Sequence, residues 1–486
     1  MARNIVLIIL DCVRKDFFDR YAPKLQKLSD VSFEQARAAS SWSPPSHGAI
    51  FSGELPSEGD LHINERDFSV LSERDSLFTD LPEHTYLGVN ANPAIGGGLE
   101  TLFDQYAEPI VLLWGNRFYE GIDLGEFIGD ADREDIDYRT YMSFLKACLT
   151  HERPFKSLYN GFSAFLSEYS RGKPFPKPFD DGARPVIRAC KKQIQSSQEP
   201  FFMFINFLDA HHYYQHHTGL DRDLHDVEHS WTSQLDVDHS ILFDRSTEGR
   251  EEYVDNRRQL YGASVDYLDR KVYEFVEYLQ DNTEEETTVI ITADHGENLG
   301  FEADENIVHH KSSLSEALLH VPLVIVNPPD EAFGREEIND YVSHLQIREL
   351  VRGLAEADVP DITRERVAAE RIGTWDYDAF VERTKKSGFD PDTLDWLWVD
   401  RAIRCVYDGE RKWEWDSLDE QIEWEIDFER PCWQQKVDSG VEIPEWASEF
   451  FTEDINEYKE QYVDENAVDE TTDDSVVNRL KTLGYM

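Results

Sequence analysis

The chain has 486 residues, of which 40% are hydrophobic and 12% aromatic, too rich in core-forming side chains for a disordered protein. Acidic residues number 98 against 48 basic ones, a net charge of −50, which excludes a surface basic enough to track a nucleic-acid backbone. The excess is spread along the chain and only residues 449–474 approach an acidic block, which points to a high-salt setting where the Debye length falls to about 3 Å.

Residues 5–10 (IVLIIL) are apolar throughout and partly β-branched, the pattern of a strand buried on both faces of a parallel sheet, and Asp11 falls at its carboxyl end. Six apolar residues are too few for a signal-peptide core or for the ~18 that a membrane span needs, and no later run is longer, so the expectation is a cytoplasmic protein without membrane insertion. Residues 22–29 read as a helix with Pro23 in its first turn, and residues 32–38 as a strand. The stretch SPPSHGAIFSG, residues 43–53, reads as a polar loop. Residues 86–89, 201–207, 287–292 and 321–326 are further strand candidates, and residues 251–279 carry apolar side chains at helical steps.

Residues 111–181 show no strand rhythm and read as a helical insertion that flanks or roofs a site. After residue 360 the texture changes to short alternating pieces such as 402–407 and 412–415, which suit a small antiparallel sheet carrying a helix. The expected architecture is α/β, a mostly parallel central sheet with helices on both faces over residues 1–360, followed by a small C-terminal α+β domain with an antiparallel sheet over residues 361–486. Ligands of such sheets sit beyond the carboxyl ends of the strands, where Asp11, the segment after Ser43, Asp209 and Asp294 all fall. The five cysteines are odd in number and widely spaced, which fits a reducing interior better than a disulfide framework.

Taken singly, the residues that could carry chemistry have plain structural alternatives: a loop serine for Ser43, a capping carboxylate for Asp11, a turn aspartate for Asp294. Taken in order they form a set. LDCVRKD (10–16), SPPSHGAIFSG (43–53), DAH (209–211), TADHGE (292–297), HHK (309–311), HVPL (320–323) and RLKTLGY (479–485) together resemble the arylsulfatase-like sulfatase family of the alkaline phosphatase superfamily across nearly the whole chain. The family signature CxPSRxxLxTG falls in register on Ser43, Pro45, Ser46, His47, Ile50, Ser52 and Gly53. The resemblance implies an alkaline phosphatase-like fold, a nucleophile at Ser43, and further catalytic positions at His310, Lys311 and His211. It also implies a divalent metal ion held by Asp11, Asp294, His295 and Ser43, with calcium first by family and magnesium, manganese or zinc as alternatives.

The residue chemistry suits those roles. A serine hydroxyl is a weak nucleophile until a base or a metal lowers its pKa, and two carboxylates with an imidazole make an oxygen-rich divalent site. A cation at His310 or Lys311 can stabilise the nonbridging oxygens or protonate a leaving oxygen. Arg14 either clamps an anion or pairs with Asp16, and His212, His216 and His217 read as exposed loop residues. Two departures stand out. His47 takes the place of the signature arginine, and Cys12 takes the place of the second aspartate in the family's usual pair, removing a hard ligand.

The functional expectation is a metal-dependent hydrolase of a small-molecule or carbohydrate sulfate ester, using Ser43 or its formylglycine derivative. The alternative is a phosphoryl hydrolase or transferase using unmodified Ser43, and a third reading is a silent anion-binding protein. Oligomeric state stays open.

Overall fold

A computed structural model describes residues 3–59, 61–62, 66–95, 97–109, 111, 116–128, 138–234, 245–310, 312–372 and 400–464. The predicted Lys311 and the closing RLKTLGY segment lie outside the described residues. The main sheet contains β1 (Asn4–Leu10), β2 (Val31–Arg37), β3 (Thr85–Asn90), β4 (Gln105–Ala107), β5 (Phe201–Phe207), β6 (Thr287–Thr292), β7 (Leu323–Val326) and β8 (Glu337–Ser343). Their order is β4-β3-β5-β1-β6-β7-β2-β8. Neighbours pair in parallel except where β7 takes part.

Every residue of β1, β5 and β6 is buried, which is why these strands read as unbroken apolar runs rather than alternating ones. Because they are adjacent and parallel, their carboxyl ends bring Asp11, Asp209 and Asp294 to one edge. Residues 321–326, read as a further strand, form β7 from Leu323 onward, and it runs antiparallel to β6. The segment after β6 stays at that edge, with Gly296 N–H donating to Leu318 O and Thr292 Oγ1 to Pro322 O, so the next strand starts from the edge where β6 ended.

The expected loop at 43–53 is a buried helix, Ser43–Ser52. Pro44 and Pro45 occupy its first turn, where missing N–H groups cost nothing, and it stops at Gly53, whose φ of 80° only glycine adopts without strain. Its polar side chains satisfy themselves on nearby carbonyls. Ser46 Oγ donates to Ser40 O at 2.9 Å, and Ser52 Oγ to Gly48 O at 2.8 Å.

Helices Lys15–Tyr21, Ala183–Ser196, Glu251–Asn282 and Ile347–Glu356 pack against the sheet or one another. Within the expected insertion, helices Leu124–Ile128, Tyr138–Thr150 and Pro154–Ser170 are formed.

A second sheet, β9 (Arg366–Arg371), β10 (Ile403–Asp408), β11 (Arg411–Asp416), β12 (Gln421–Ile426) and β13 (Gln434–Ser439), is antiparallel throughout and ordered β13-β12-β11-β10-β9. Its apolar face joins the core of the first sheet through Val367, Ala369, Ile403 and Cys405. Buried Glu316 ties the two together, accepting from Tyr407 Oη at 2.6 Å and pairing with Arg37 at 3.1 Å. Removing one partner would strand a buried charge, at a cost of about 3–5 kcal/mol. All five cysteines are buried and free. Among the described residues no helix is long and apolar enough to cross a membrane.

Candidate active site

The first residues past β1, β3 and β6 meet the amino end of helix Ser43–Ser52. Asn92 is the hub. Its Nδ2 donates to Asp11 Oδ2 at 2.7 Å and to Ser43 Oγ at 3.0 Å, while its Oδ1 accepts from Ala94 N–H at 2.8 Å. An amide nitrogen only donates, so the Ser43 hydroxyl accepts there and turns its hydrogen toward His295 Nε2, 3.3 Å away. His295 Nδ1 donates to Gly296 O at 2.8 Å, which fixes the tautomer and leaves the Nε2 lone pair facing Ser43. Gly296 has to be glycine, since a Cβ there would stand 2.0 Å from Ala317 O.

Asp294 Oδ1 accepts from the N–H groups of Cys12 at 3.2 Å and His295 at 2.9 Å. Cys12 adopts φ of 64°, a conformation costly for a residue with a Cβ and found where a backbone group is aimed at a function. Asp294 Oδ2 and Asp11 Oδ1 are buried without a hydrogen-bonding partner. Two orphaned carboxylate oxygens beside a hydroxyl and an imidazole lone pair are what a divalent cation would satisfy, so the residues fit the metal expected from sequence. Burial, followed by the neighbouring Asp294 charge, raises the Asp11 pKa to about 7. Asp294 is held below the ordinary carboxylate value: burial opposes this, but the neighbouring His295 imidazole and hydrogen bonds such as that from the Cys12 N–H outweigh it.

His47 does not stand in for an arginine. Its Nδ1 donates one helical turn back to Ser43 O at 2.8 Å, and its Nε2 accepts from Asn206 Nδ2 at 3.4 Å. Burial lowers its pKa, so it is a neutral strut between helix and β5 and offers no charge to an anion. Asn206 also donates to Asp11 Oδ2 at 3.3 Å.

A histidine cluster completes the site. His310 lies 4.8 Å from His295 and 5.3 Å from His211, ring centroid to centroid. His310 Nδ1 faces Glu297 Oε2 at 3.0 Å, and His211 Nδ1 donates to His212 O at 2.6 Å, so both turn Nε2 inward. His309 Nδ1 accepts from the His310 N–H at 2.9 Å, which leaves its Nε2 to donate to His212 Nε2 at 3.2 Å. Burial, then the surrounding histidines, pushes the His310 pKa well down. Glu297, which also meets Arg257 Nη2 at 3.3 Å, is raised to about 7 by burial. Among the described residues, ligand atoms of Asp11, Cys12 and His295, and of Cys12, His211 and His310, lie within 4.8 Å of one another, so Cys12 adds a soft donor between two groups.

The structure thus gathers Asp11, Ser43, Asp294, His295, His211 and His310 at one edge. Arg14 pairs with Asp16 at 2.8 Å, as one of its two readings expected, and with Asp304 at 2.9 Å. Asp209 sits apart from the cluster and accepts from Ala183 N–H at 3.2 Å. His212, His216 and His217, expected to be exposed, are buried, because aromatic and imidazole faces such as Tyr267 and His225 cover them. Sequence reading missed Asn92, Asn206 and Glu297. Asn206 had a signal, a lone polar residue in the apolar run FFMFINF; Asn92 follows β3 by two residues as Asp294 follows β6.

The chain is similar to several known proteins. The uncharacterized sulfatase YidJ of Escherichia coli (strain K12) is 28% identical over 103 residues, a match spanning 21% of this chain and only 20% of that relative's length. The fold is similar to a phosphonate monoester hydrolase of Agrobacterium radiobacter, with a TM-score of 0.57 and 12% identity over 87% of this chain and 89% of that one. It is also similar to BT4656, solved in complex with its substrate D-glucosamine-2-N,6-O-disulfate, with a TM-score of 0.54 and 12% identity over 97% and 100% of the two chains. The family pattern described as Sulfatase matches residues 74–356, more than half of the chain, and encloses Asn92, His211, Asp294, His295 and His310; the protein belongs to the sulfatase family of hydrolases.

Proposed function

We propose that this protein is a metal-dependent hydrolase of a sulfate ester, with Ser43 at the nucleophile position, residues 1–360 as its catalytic unit and residues 361–486 as a C-terminal unit. The observation that carries the reading is the setting of Ser43 Oγ, polarised between the Asn92 amide at 3.0 Å and the His295 lone pair at 3.3 Å, with two orphaned carboxylate oxygens close by. Asp11, Asp294, His295 and Ser43 would hold the cation, calcium first by family and magnesium, manganese or zinc otherwise. When bound, such an ion supplies positive charge that lowers the pKa of a nearby hydroxyl and offsets charge on the ester oxygens.

The chain's own residues orient and move protons. Asn92 fixes Ser43 against Asp11, and His295 Nε2 orients the Ser43 hydroxyl at 3.3 Å until its lone pair is given to the cation, so the Ser43 proton would leave to solvent and the oxygen would attack as an alkoxide. His211 and His310 turn lone pairs inward, so we assign the leaving-group proton to Lys311, on its place in HHK.

A second reading, phosphoryl transfer from an ester through unmodified Ser43, is favoured by one observation. His47 is neutral and spends both ring nitrogens on Ser43 O and Asn206, so the fixed planar charge of the signature arginine is missing. Purified protein should be assayed against matched aryl sulfate, phosphate monoester and phosphate diester in high salt with several metals. Fastest turnover of the sulfate supports the first reading, fastest turnover of a phosphate the second, and none with any of the three removes both. Intact-peptide mass spectrometry of the Ser43 fragment from native-host protein is expected to show plain serine. A mass lower by two hydrogens would mean formylglycine and would leave the phosphoryl reading without its main support.

The composition supports a high-salt, reducing interior, given the net charge of −50 and five free buried cysteines. As salt falls well below molar, unscreened repulsion is expected to unfold the chain. Circular dichroism unchanged in dilute buffer would overturn that setting.

A further inference from the structure

Of thirteen large hydrophobic side chains exposed among the described residues, eleven lie between residues 138 and 175. They are not scattered. On helix Tyr138–Thr150 they recur at Tyr141 (52% exposed), Leu145 (44%) and Leu149 (77%), four residues apart. On helix Pro154–Ser170 they recur at Phe155 (85%), Phe162 (55%) and Tyr169 (57%), seven apart. Both spacings keep the side chains on one helical face. The hairpin's inner face is already used, where Phe144 and Cys148 pack with Leu124. The outer stripe is a second apolar face that the fold leaves in water, and a surface of this kind marks an interaction site.

Its charge identifies the partner. Residues 138–175 carry Arg139, Lys146, Arg153, Lys156, Arg171 and Lys173 against Glu152 and Glu168, a net of +4 in a chain whose total is −50. Pairing the stripe with its copy would set these basic groups face to face. An acidic protein surface would match the charge but leave the aromatic rings uncovered. An anionic lipid leaflet offers both, negative headgroups for the Lys and Arg side chains and acyl chains for Phe and Leu, with Tyr rings at the boundary. We propose that this hairpin docks the protein peripherally on an anionic lipid surface. At 13 and 17 residues the two helices fall short of the ~20 that span a bilayer, so they lie in its interface. The hairpin is anchored to the main domain: Asn160 Nδ2 donates to Phe118 O at 2.9 Å, and neighbouring Arg117 pairs with Asp180, whose charge is felt by Asp209 after β5.

The test is flotation of the full chain with vesicles of phosphatidylglycerol and phosphatidylcholine, against vesicles of phosphatidylcholine alone, at the lowest salt where circular dichroism shows folded protein. At that salt the Debye length is only a few Å, so binding to the anionic vesicles should be stronger by about twofold to threefold, from Lys and Arg side chains in direct contact with headgroups. The variant Leu145→Ser/Phe162→Ser should lose binding to both kinds of vesicle. The variant Arg139→Glu/Lys146→Glu/Arg153→Glu should lose the preference, and both should keep the wild-type circular dichroism and hydrolysis of a soluble ester. Equal or absent binding of the wild type to both vesicles would overturn the proposal. So would a dimer in sedimentation velocity that Leu145→Ser/Phe162→Ser dissociates, since the stripe would then belong to a second copy.

Discussion

Ser43→Ala is expected to lower turnover by about 10³-fold or more while leaving the fold intact. The hydroxyl is the only group of Ser43 that meets both Asn92 and His295, so its removal takes away the attacking oxygen and the acceptor that orients Asn92 toward Asp11. Little of the structure depends on it. The amino end of the helix is held by Pro44 and Pro45, and Ser43 O still accepts from His47. Two lost hydrogen bonds cost about 1 kcal/mol each, a shift of a few degrees in melting temperature at most for a chain this large. Steady-state rates and a thermal melt on the same preparation check both halves. Undiminished turnover with every ester would show that Ser43 is not the nucleophile.

Asp294→Asn is expected to cut metal affinity by about 100-fold or more and turnover with it, because a neutral amide is a poor ligand for a hard cation. Metal content after gel filtration reads this directly, and unchanged stoichiometry would place Asp294 outside the metal shell. The pH dependence follows from the two carboxylates. Asp294 is lowered from its ordinary value of 3.8 and stays ionised, whereas Asp11 is raised to about 7 and must lose its proton before it can bind a cation. Affinity should therefore rise by roughly tenfold per pH unit from about 4 and level off above 7. The metal-free fold should respond in the opposite sense. A carboxyl whose folded pKa lies above its unfolded one contributes stability that is present below about pH 4 and lost as pH rises through 7, and Glu297, also raised to about 7, adds the same sign. Thermal melts with chelator, compared with melts in excess metal across that window, should diverge as pH rises. Parallel curves would mean that no proton leaves Asp11 on binding.

Much of this site can be located by reading residues in order. The runs at 5–10, 201–207 and 287–292 are apolar at every position, a pattern that strands buried on both faces produce, and chemistry-bearing residues stand just past two of them. Asp11, Asp294 and His295 follow from that placement and from the ordered motifs. The short alternating piece KWEW at 412–415 likewise marks a strand of the second sheet, although its buried positions are Lys412 and Glu414 rather than the two tryptophans.

Other features depended on what each segment meets in space. SPPSHGAIFSG has the proline, glycine and serine content of a loop, yet it is a helix because burial obliges its side chains to bond nearby carbonyls and leaves Gly53 as the natural stop. The direction of β7 goes with the bonds that hold Leu318 to Gly296 and Pro322 to Thr292 at one sheet edge, which no local pattern records. His47 stands in one dimension as a departure from the signature arginine, and its work as a strut shows only in the fold, since a tautomer is chosen by partners such as Asn206 that lie far off in the chain. Asn92 became the hub of the site in the same way. Local sequence determined which stretches must be buried and which residue types reach the strand ends, because hydrophobic periodicity is a property of neighbours along the chain. Hydrogen-bond roles, protonation and strand direction were decided only by the tertiary structure, because each depends on atoms that folding alone brings within about 3 Å.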